Sequence, residues 1–597
     1  MFERAERRQD SQRTTFQRVL EAGLALGIMF AVSFPGLAQD AAQEQGQEQG
    51  QPGQPMTLDR TLATLHGVVR NAATGEGLPR ALVRIEGDAD AGALTDGQGR
   101  FEIPNIPVGP QLIEVRKPGF RDSFNRRGEM EGELTEPTHN VMVAAEMPDV
   151  VFTLAPTGAI RGQVELSTGD TAEGMTMALV RRTIDDGRAI WQTAASTKTK
   201  SDGTYRFGGL ADGDYTIYSQ PAMDSDLDET PGPAGAGQRW GYTSVYYPDA
   251  RDPSGAAKIH VANGAETQAN LTLTLEAFQT VTAAVVFPQA NSADRAGMNL
   301  SATVMDSAGH QLAYAAQYDP DSHSVQAELP DGSYTLLVQS IPQGERRGSL
   351  GNLNAGVLAG AVEVAVAGHA VPNLRVPLSA PRPNPVQFNV IHNAAQPVRA
   401  AGQASQVLVL VSQAEGWIDD SMVSMYADGA APGPLEAIYT RPGTYWVHTH
   451  IQQKGLCESS FTAGGANLAR EPVVIGLSGS AAPMELTLRD DCAGLELSLP
   501  DALQSIAAGE EPFFTVYVVP DFDSTAVVDP ITLRPSTGGT ATVNGLTPGN
   551  YHVYTFAGAV HLEYRNRDAL AALPNAGQAI TLSPGTTGNL VVEAPGP

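Results

Sequence analysis

Residues 95–109 read Thr95-Asp96-Gly97-Gln98-Gly99-Arg100-Phe101-Glu102-Ile103-Pro104-Asn105-Ile106-Pro107-Val108-Gly109. The Asp96-Gly97 step predicts a tight turn, because Gly97 can take a positive φ without steric cost. Residues 100–103 then alternate polar and apolar side chains, which is typical of a strand with one buried face. A second turn ends at Gly109, and residues 112–115 begin another apolar strand. The stretch therefore predicts two neighbouring antiparallel strands joined by a turn.

The same succession of turns and strands returns four times, at residues 201–217, 324–336, 443–447 and 541–553. The glycines that anchor the five copies stand 104 to 119 residues apart, at positions 109, 213, 332, 443 and 549. This period is too long for a solenoid unit and equals the size of one sandwich domain. We therefore predict an all-β chain, a tandem array of about five Ig- or prealbumin-like β-sandwich domains strung as separate beads.

The array follows an N-terminal leader and a polar tether. The tether is rich in Gln, Glu and Gly, has almost nothing to bury, and is expected to be disordered. The turn signals are weakest in the third and fourth domains. The predicted segments are 1–38 (signal peptide), 39–56 (tether), 57–155, 156–276, 277–380, 381–490 and 491–597 (five sandwiches).

The first domain carries a family resemblance. The residues concerned are Gly67-x-Val69, Thr74-Gly75, Gly77-Leu78-Pro79, Ala81-x-Val83-x-Ile85 and the stretch from Thr95 to Gly109. This pattern resembles the carboxypeptidase regulatory-like domain, a prealbumin-like sandwich that is grouped with carbohydrate-binding-like folds. The second and last domains repeat parts of it, so the chain resembles exported bacterial proteins built from several such modules. The resemblance implies a fold and a generic, non-catalytic accessory module.

The leader predicts export. Five arginines between Arg4 and Arg18 precede an apolar run at residues 22–34, and small residues allow cleavage after Ala38. The run is short for a membrane span, although an uncleaved anchor stays an alternative. We expect an exported protein that is periplasmic, on the outer surface or secreted, and that has no membrane span once the leader is removed.

The charge of the chain narrows its partners. The formal net charge is −28 at pH 7. Nucleic acids and anionic membrane surfaces need Lys and Arg on the protein, so both are disfavoured as partners. The simplest interpretation of the acidic surface is solubility.

No catalytic or cofactor motif is found. None of the 11 histidines is followed by Glu three residues later, as a zinc carboxypeptidase site requires, and no phosphate-binding loop occurs. His448 and His450 could face one metal from a strand, but no third ligand can be named. Asp224, Asp226 and Asp228 resemble a calcium loop that lacks the glycine and the final glutamate. We expect no enzyme activity, no metal and no cofactor.

Two cysteines, Cys457 and Cys492, are present. In an exported protein an even number of cysteines favours a disulfide, with two separate thiols as the alternative.

An aromatic segment gives the one candidate ligand site. Trp240, Tyr242, Tyr246 and Tyr247 lie close together in the second domain. Exposed rings of this kind stack on the apolar faces of sugars, whereas buried rings would pack over the end of the sandwich. On one continuous strand the first three would share a face. We therefore expect a non-catalytic binding or scaffold protein of the cell envelope with polysaccharide as its ligand. The alternative is a structural spacer or adhesin that contacts other envelope proteins.

Overall fold

The computed structural model describes residues 61–88, 91–122, 138–224, 238–288, 299–306, 311–341, 358–380, 386–393, 407–413, 417–418, 434–435, 442–451, 455–476, 481–504 and 508–593. The predicted leader and tether, and the acidic residues Asp226 and Asp228, lie outside these ranges.

The first sandwich is built around the quoted stretch. Its strands, numbered β1 to β8 in chain order, form two sheets with the orders β4-β1-β8-β6 and β3-β2-β5-β7. Phe101 and Phe152 stack between them, with ring centroids 5.7 Å apart. The strands are β1 (Leu62–Asn71), β2 (Leu82–Ile85), β3 (Gly92–Leu94), β4 (Arg100–Pro107), β5 (Gly109–Arg116), β6 (Phe120–Asp122), β7 (Thr138–Val143) and β8 (Val150–Pro156).

The turn before β4 is present, but the glycine with positive φ is Gly99 (φ 78°) rather than Gly97. Asp96 closes the turn, because its Oδ1 accepts the backbone N–H groups of Gln98 and Arg100, both at 2.8 Å. A Cβ on Gly99 would lie 2.5 Å from the carbonyl oxygen of Val69. The prediction placed the positive φ at Gly97, two residues too early. Glycine is required at position 99 because the backbone there approaches β1 closely.

The second sandwich pairs β12-β9-β17 with β16-β13-β10-β11, and β18 also pairs with β9. The antiparallel hairpin of β10 and β11 is its longest feature and extends beyond the core. The strands are β9 (Gly158–Leu166), β10 (Thr176–Asp185), β11 (Arg188–Lys198), β12 (Thr204–Leu210), β13 (Gly213–Ser219), β14 (Ala222–Met223), β15 (Gln238–Tyr242), β16 (Ile259–Val261), β17 (Glu266–Gln268) and β18 (Leu271–Leu273). A short 3-10 helix covers Pro253–Gly255.

The third sandwich has two sheets. One has the order β26-β19-β23-β22, and the other has the order β21-β20-β24-β25. Along β19 the residues Val281, Ala283 and Val285 enter the core, so the residues between them lie on the outer face. The strands are β19 (Leu275–Val286), β20 (Asn299–Met305), β21 (Gln311–Leu312), β22 (Ala316–Asp319), β23 (Ser324–Pro330), β24 (Gly332–Ile341), β25 (Ala359–Val366) and β26 (Val371–Pro377).

The fourth sandwich pairs β30-β27-β35-β32-β33 with β28-β31-β34. Phe388 and Phe461 fill its core, and both are almost completely buried. The strands are β27 (Val386–Ile391), β28 (Val407–Gln413), β29 (Trp417–Ile418), β30 (Pro434–Leu435), β31 (Gly443–Ile451), β32 (Cys457–Ala463), β33 (Ala466–Asn467), β34 (Val473–Ile475) and β35 (Met484–Arg489).

The fifth sandwich pairs β40-β36-β43 with β39-β38-β41-β42. A one-turn helix, α1 (Arg567–Ala571), lies between the paired strands β41 and β42 and is capped by Asn566. The strands are β36 (Ala493–Ser498), β37 (Gly509–Glu510), β38 (Phe514–Pro520), β39 (Ile531–Leu533), β40 (Thr540–Leu546), β41 (Gly549–Ala557), β42 (Gln578–Leu582) and β43 (Thr587–Val591). Two 3-10 helices cover Asp501–Leu503 and Pro535–Thr537.

Five large hydrophobic clusters, one in each sandwich, form the cores. The prediction of an all-β array of sandwich domains is therefore confirmed. The cores are built from alternating strand residues of two facing sheets, as a sandwich requires.

Three sheets are extended by strands from another sandwich. Strand β37 of the fifth domain pairs with β7 of the first, and β29 of the fourth pairs with β11 of the second. Strands β14 and β15 leave the second domain and join β19 of the third. The sandwiches are thus tied side by side, and the expectation of separate beads is not what the structure shows. Edge strands carry free backbone donors and acceptors, so a strand from elsewhere in the chain can complete them.

Candidate functional site

The predicted aromatic residues do not share one exposed face. Strand β15 ends at Tyr242, so the strand alternation expected to place Tyr246 beside Trp240 stops before it. Tyr242 and Tyr247 pack against the core of the second sandwich. Tyr246 is 8% exposed and stacks on Tyr218 with ring centroids 5.1 Å apart. Trp240 is partly buried on β15. The three tyrosines therefore pack over the sandwich, which was the alternative to an exposed sugar-binding face.

The two cysteines are bonded to each other in the structure. Cys457 begins β32 and Cys492 lies just before β36, with Cα atoms 5.8 Å apart. That separation is typical of a disulfide. The bond links the fourth sandwich to the segment that enters the fifth.

The histidines weighed as metal ligands lie on β31, and His448 has a different partner. The β10–β11 hairpin reaches out of the second sandwich, and its turn places Asp186 between the fourth and fifth sandwiches. Asp186 and Gly187 both have positive φ, 41° and 69°, which is the backbone of a tight two-residue hairpin turn. A Cβ on Gly187 would lie 2.6 Å from the ring of Tyr564, so a side chain at this position has no room.

The Asp186 carboxylate is the centre of this junction. It hydrogen-bonds with His448 Nδ1, accepts from the hydroxyl of Tyr564, and binds Arg565 Nη2 at 2.8 Å. The carboxylate and the guanidinium of Arg565 are both about nine-tenths buried. Burial alone raises the pKa of Asp186, but the hydrogen bond from His448 and the charge of Arg565 outweigh it and lower the pKa. The arrangement holds a charged carboxylate, and it joins three domains.

Two arginines reinforce the same hairpin. The guanidinium of Arg188 lies 3.5 Å from the ring centroid of Trp446 in the fourth sandwich, a cation–π contact. Burial lowers the pKa of Arg188 to about 10, so the group stays charged at neutral pH. Arg182 Nη2 donates to Glu563 of the fifth sandwich at 2.7 Å.

A second buried cluster joins the first and fifth sandwiches. The imidazole of His139 contacts Asp122 through Nε2 and Glu510 through Nδ1, each at 2.6 Å. The side chains of His139 and Asp122 are each 2% exposed. Burial lowers the pKa of His139, but the hydrogen bonds to the two carboxylates outweigh burial and raise the pKa to about 9. Beside it, Asn140 Nδ2 donates to Glu511 at 2.6 Å.

A third cluster joins the fourth and fifth sandwiches. Glu458 is 4% exposed, and its carboxylate accepts from the backbone N–H and the hydroxyl of Thr525, both at 2.6 Å. The hydroxyl of Thr449 also donates to it, at 2.5 Å. These three clusters could not be anticipated by motif, because their members are far apart in sequence and each is an ordinary polar residue.

The described residues hold no group of three or more His, Cys, Asp or Glu that could bind a metal ion. Within the same ranges, no helix has the length and apolar character needed to cross a membrane. Asp186, Glu458 and Glu510 each bind a group of a neighbouring domain, so the geometry of these buried carboxylates serves domain contact.

Residues 64–139 match the carboxypeptidase regulatory-like domain family. The resemblance given by the sequence motif is thereby confirmed for the first domain. No curated protein matches the chain.

The structure comparison also matches the chain to several solved structures. They include the TIE protein of Bacillus anthracis (13% identity, 67% of this chain and 70% of that chain, TM-score 0.16). A streptococcal ancillary pilin (10% identity, 54% and 100%, TM-score 0.18) and the shaft pilin SpaA of Lactobacillus rhamnosus GG (12% identity, 36% and 98%, TM-score 0.18) are also similar. At these TM-scores no conclusion about function follows.

Proposed function

We propose that the chain is an exported, non-catalytic scaffold protein of the cell envelope whose joined sandwiches present a binding surface to polysaccharide. The observation that carries the scaffold part is the junction at Asp186. One hairpin of the second sandwich is held by His448 of the fourth and Arg565 of the fifth. A protein built to hold domains in fixed relation benefits from such contacts, whereas flexible tethers would leave the domains to move independently.

The export part of the proposal is supported by the basic and apolar leader and by the disulfide, which forms in oxidising compartments. Fractionation of cells that produce the protein with a C-terminal tag tests it, together with N-terminal sequencing. We expect an envelope or secreted species that begins after Ala38. A cytoplasmic species that begins at Met1 would overturn this part.

The polysaccharide part is supported by the family fold of the first domain, and the formal net charge of −28 disfavours polyanions as ligands. Retention of the mature protein on a panel of insoluble neutral and acidic polysaccharides tests it. Retention on at least one of them is expected, and washing through every column would overturn it.

The second candidate is a spacer or adhesin that contacts envelope proteins. It is favoured by one observation, the three sheets whose edges accept strands from elsewhere in the chain. Strand addition is also a common way for one protein to bind another. Cross-linking in intact cells followed by mass spectrometry separates the two candidates, because a spacer gives defined protein cross-links and no polysaccharide retention.

A further inference from the structure

A groove of about 370 Å³ lies where the β14–β15 hairpin of the second sandwich joins β19 of the third. Pockets that bind small ligands commonly measure about 300–1,000 Å³ and combine apolar walls with a few converging polar groups. The residues that line the groove include Met223, Arg239, Tyr314, Gln317, Gln326 and Glu328.

The floor of the groove is a polar face of the sheet. Gln317 of β22 stands opposite Gln326 of β23, and Glu328 is two residues further along the same strand and therefore on the same face. Both glutamines are exposed. Among the described residues, neither amide has a protein hydrogen-bond partner, so both are available to a ligand. Each amide offers a donor and an acceptor.

One carboxylate and one guanidinium complete the polar set. Glu328 is half-buried, and both of its oxygens lie 3.2 Å from the hydroxyl of Thr280. Arg239 of β15 stands opposite Phe278 of β19, and both residues line the groove. The two opposite charges cancel within the groove.

An aromatic ring forms one side. Tyr314 packs edge-on against Phe278 and Tyr334, with ring centroids 6.1 and 5.9 Å apart. These contacts fix the ring, and a ring that is fixed before binding loses little entropy when a ligand covers it. Burial raises the pKa of Tyr314 to about 12, so its hydroxyl is neutral. Met223 also lines the groove.

We propose that this groove binds a neutral oligosaccharide segment, an inference that rests on the polysaccharide part of the proposed function. Hydroxyl groups need donors and acceptors together, which the two amides and the carboxylate supply. The apolar face of a sugar ring fits against an aromatic side chain. A polyanionic glycan is disfavoured, because it would meet Glu328 and a chain whose net charge is −28.

The test uses the full mature chain and compares retention on insoluble glucan, chitin and an acidic polysaccharide such as alginate. The double substitution Gln317→Ala and Gln326→Ala removes both amides from the groove. Gln387→Ala is the matched control, because Gln387 is an exposed glutamine on strand β27 of another sandwich. Melting curves show whether each variant keeps the fold of the parent.

We expect the double variant to bind a neutral polysaccharide about ten-fold more weakly than the parent, as the loss of two hydrogen bonds implies. The Gln387→Ala protein should bind as the parent does. If the parent binds a neutral polysaccharide and the double variant binds equally well, the groove is wrong and the proposed function stands. If the parent binds only alginate, the ligand class is wrong. If it binds none of the three, the polysaccharide function and the groove fail together.

Discussion

At the scale of single residues, the raised pKa of His139 predicts how the stability of the protein depends on pH. Burial lowers its pKa, but the hydrogen bonds to Asp122 and Glu510 outweigh burial and raise the pKa from 6.5 to about 9. A histidine with a raised pKa stabilises the fold fully below its ordinary pKa, and that stabilisation is lost as the pH rises through the folded value. The melting temperature of the parent should therefore fall between about pH 6.5 and about pH 9.

Comparison with His139→Gln measures this contribution. The variant should melt lower at about pH 6 and should show a flatter pH profile, because it has no proton to lose. His260→Gln is the control, since His260 pairs with Asp214 on the surface, where ion pairs contribute little. Parallel pH profiles for the parent and His139→Gln would contradict the assignment.

Asp186 gives a second prediction at this scale. Asp186→Asn keeps the shape of the side chain but leaves Arg565 buried without its counter-charge. Breaking a buried pair in this way typically costs about 3–5 kcal/mol of unfolding free energy. Urea denaturation measures the effect, with Asp214→Asn as the control that should change stability by about 1 kcal/mol or less. Equal midpoints for the two variants would show that the junction contributes no more than a surface pair.

At the scale of elements, strand β15 separates two interpretations of Trp240. Trp240 and Arg239 are neighbours on this strand, so their side chains lie on opposite faces. Trp240→Ala should lower the free energy of unfolding by less than the roughly 3–5 kcal/mol typical of a fully buried Trp, because the ring is only partly buried. Polysaccharide retention should be unchanged. A variant that melts normally but no longer binds polysaccharide would instead favour the aromatic segment as the sugar site.

The disulfide belongs to the same scale, because it ties β32 to the strand that opens the fifth sandwich. It closes a loop of 35 residues, and chain-entropy arguments assign such a loop roughly 3–4 kcal/mol. The double substitution Cys457→Ser and Cys492→Ser should lower the unfolding free energy by about that amount. Thiol labelling of the unreduced, denatured protein should detect no free cysteine, and labelling of both residues would contradict the bond in the exported protein.

The elements also show what a sequence can predict. The turn at Asp96, the alternation of β4 and the repeats of about 110 residues are local signals, and they give the sandwich class. The junctions are not local, since His448 lies 262 residues from Asp186 and Glu510 lies 371 residues from His139. No periodicity connects such pairs. Gln317 and Gln326 are likewise ordinary strand residues, and only the pairing of their strands brings them together.

At the scale of the whole molecule, the ties between sandwiches predict cooperative unfolding. The first, second, fourth and fifth domains share buried polar contacts, so scanning calorimetry of the mature protein should show fewer transitions than five. Asp186→Asn should split the main transition. Five transitions that are identical in both proteins would mean that each sandwich unfolds by itself.

The sheet of the first sandwich is completed only by Gly509 and Glu510 of β37. The chain is synthesised from its N-terminus, so β7 emerges from the ribosome long before its partner does. Until then its outer backbone groups are open to any other strand, including one from a second copy of the chain. The order of synthesis thus makes β7 a place where a chaperone would protect the protein, and where a stalled or truncated chain would aggregate first.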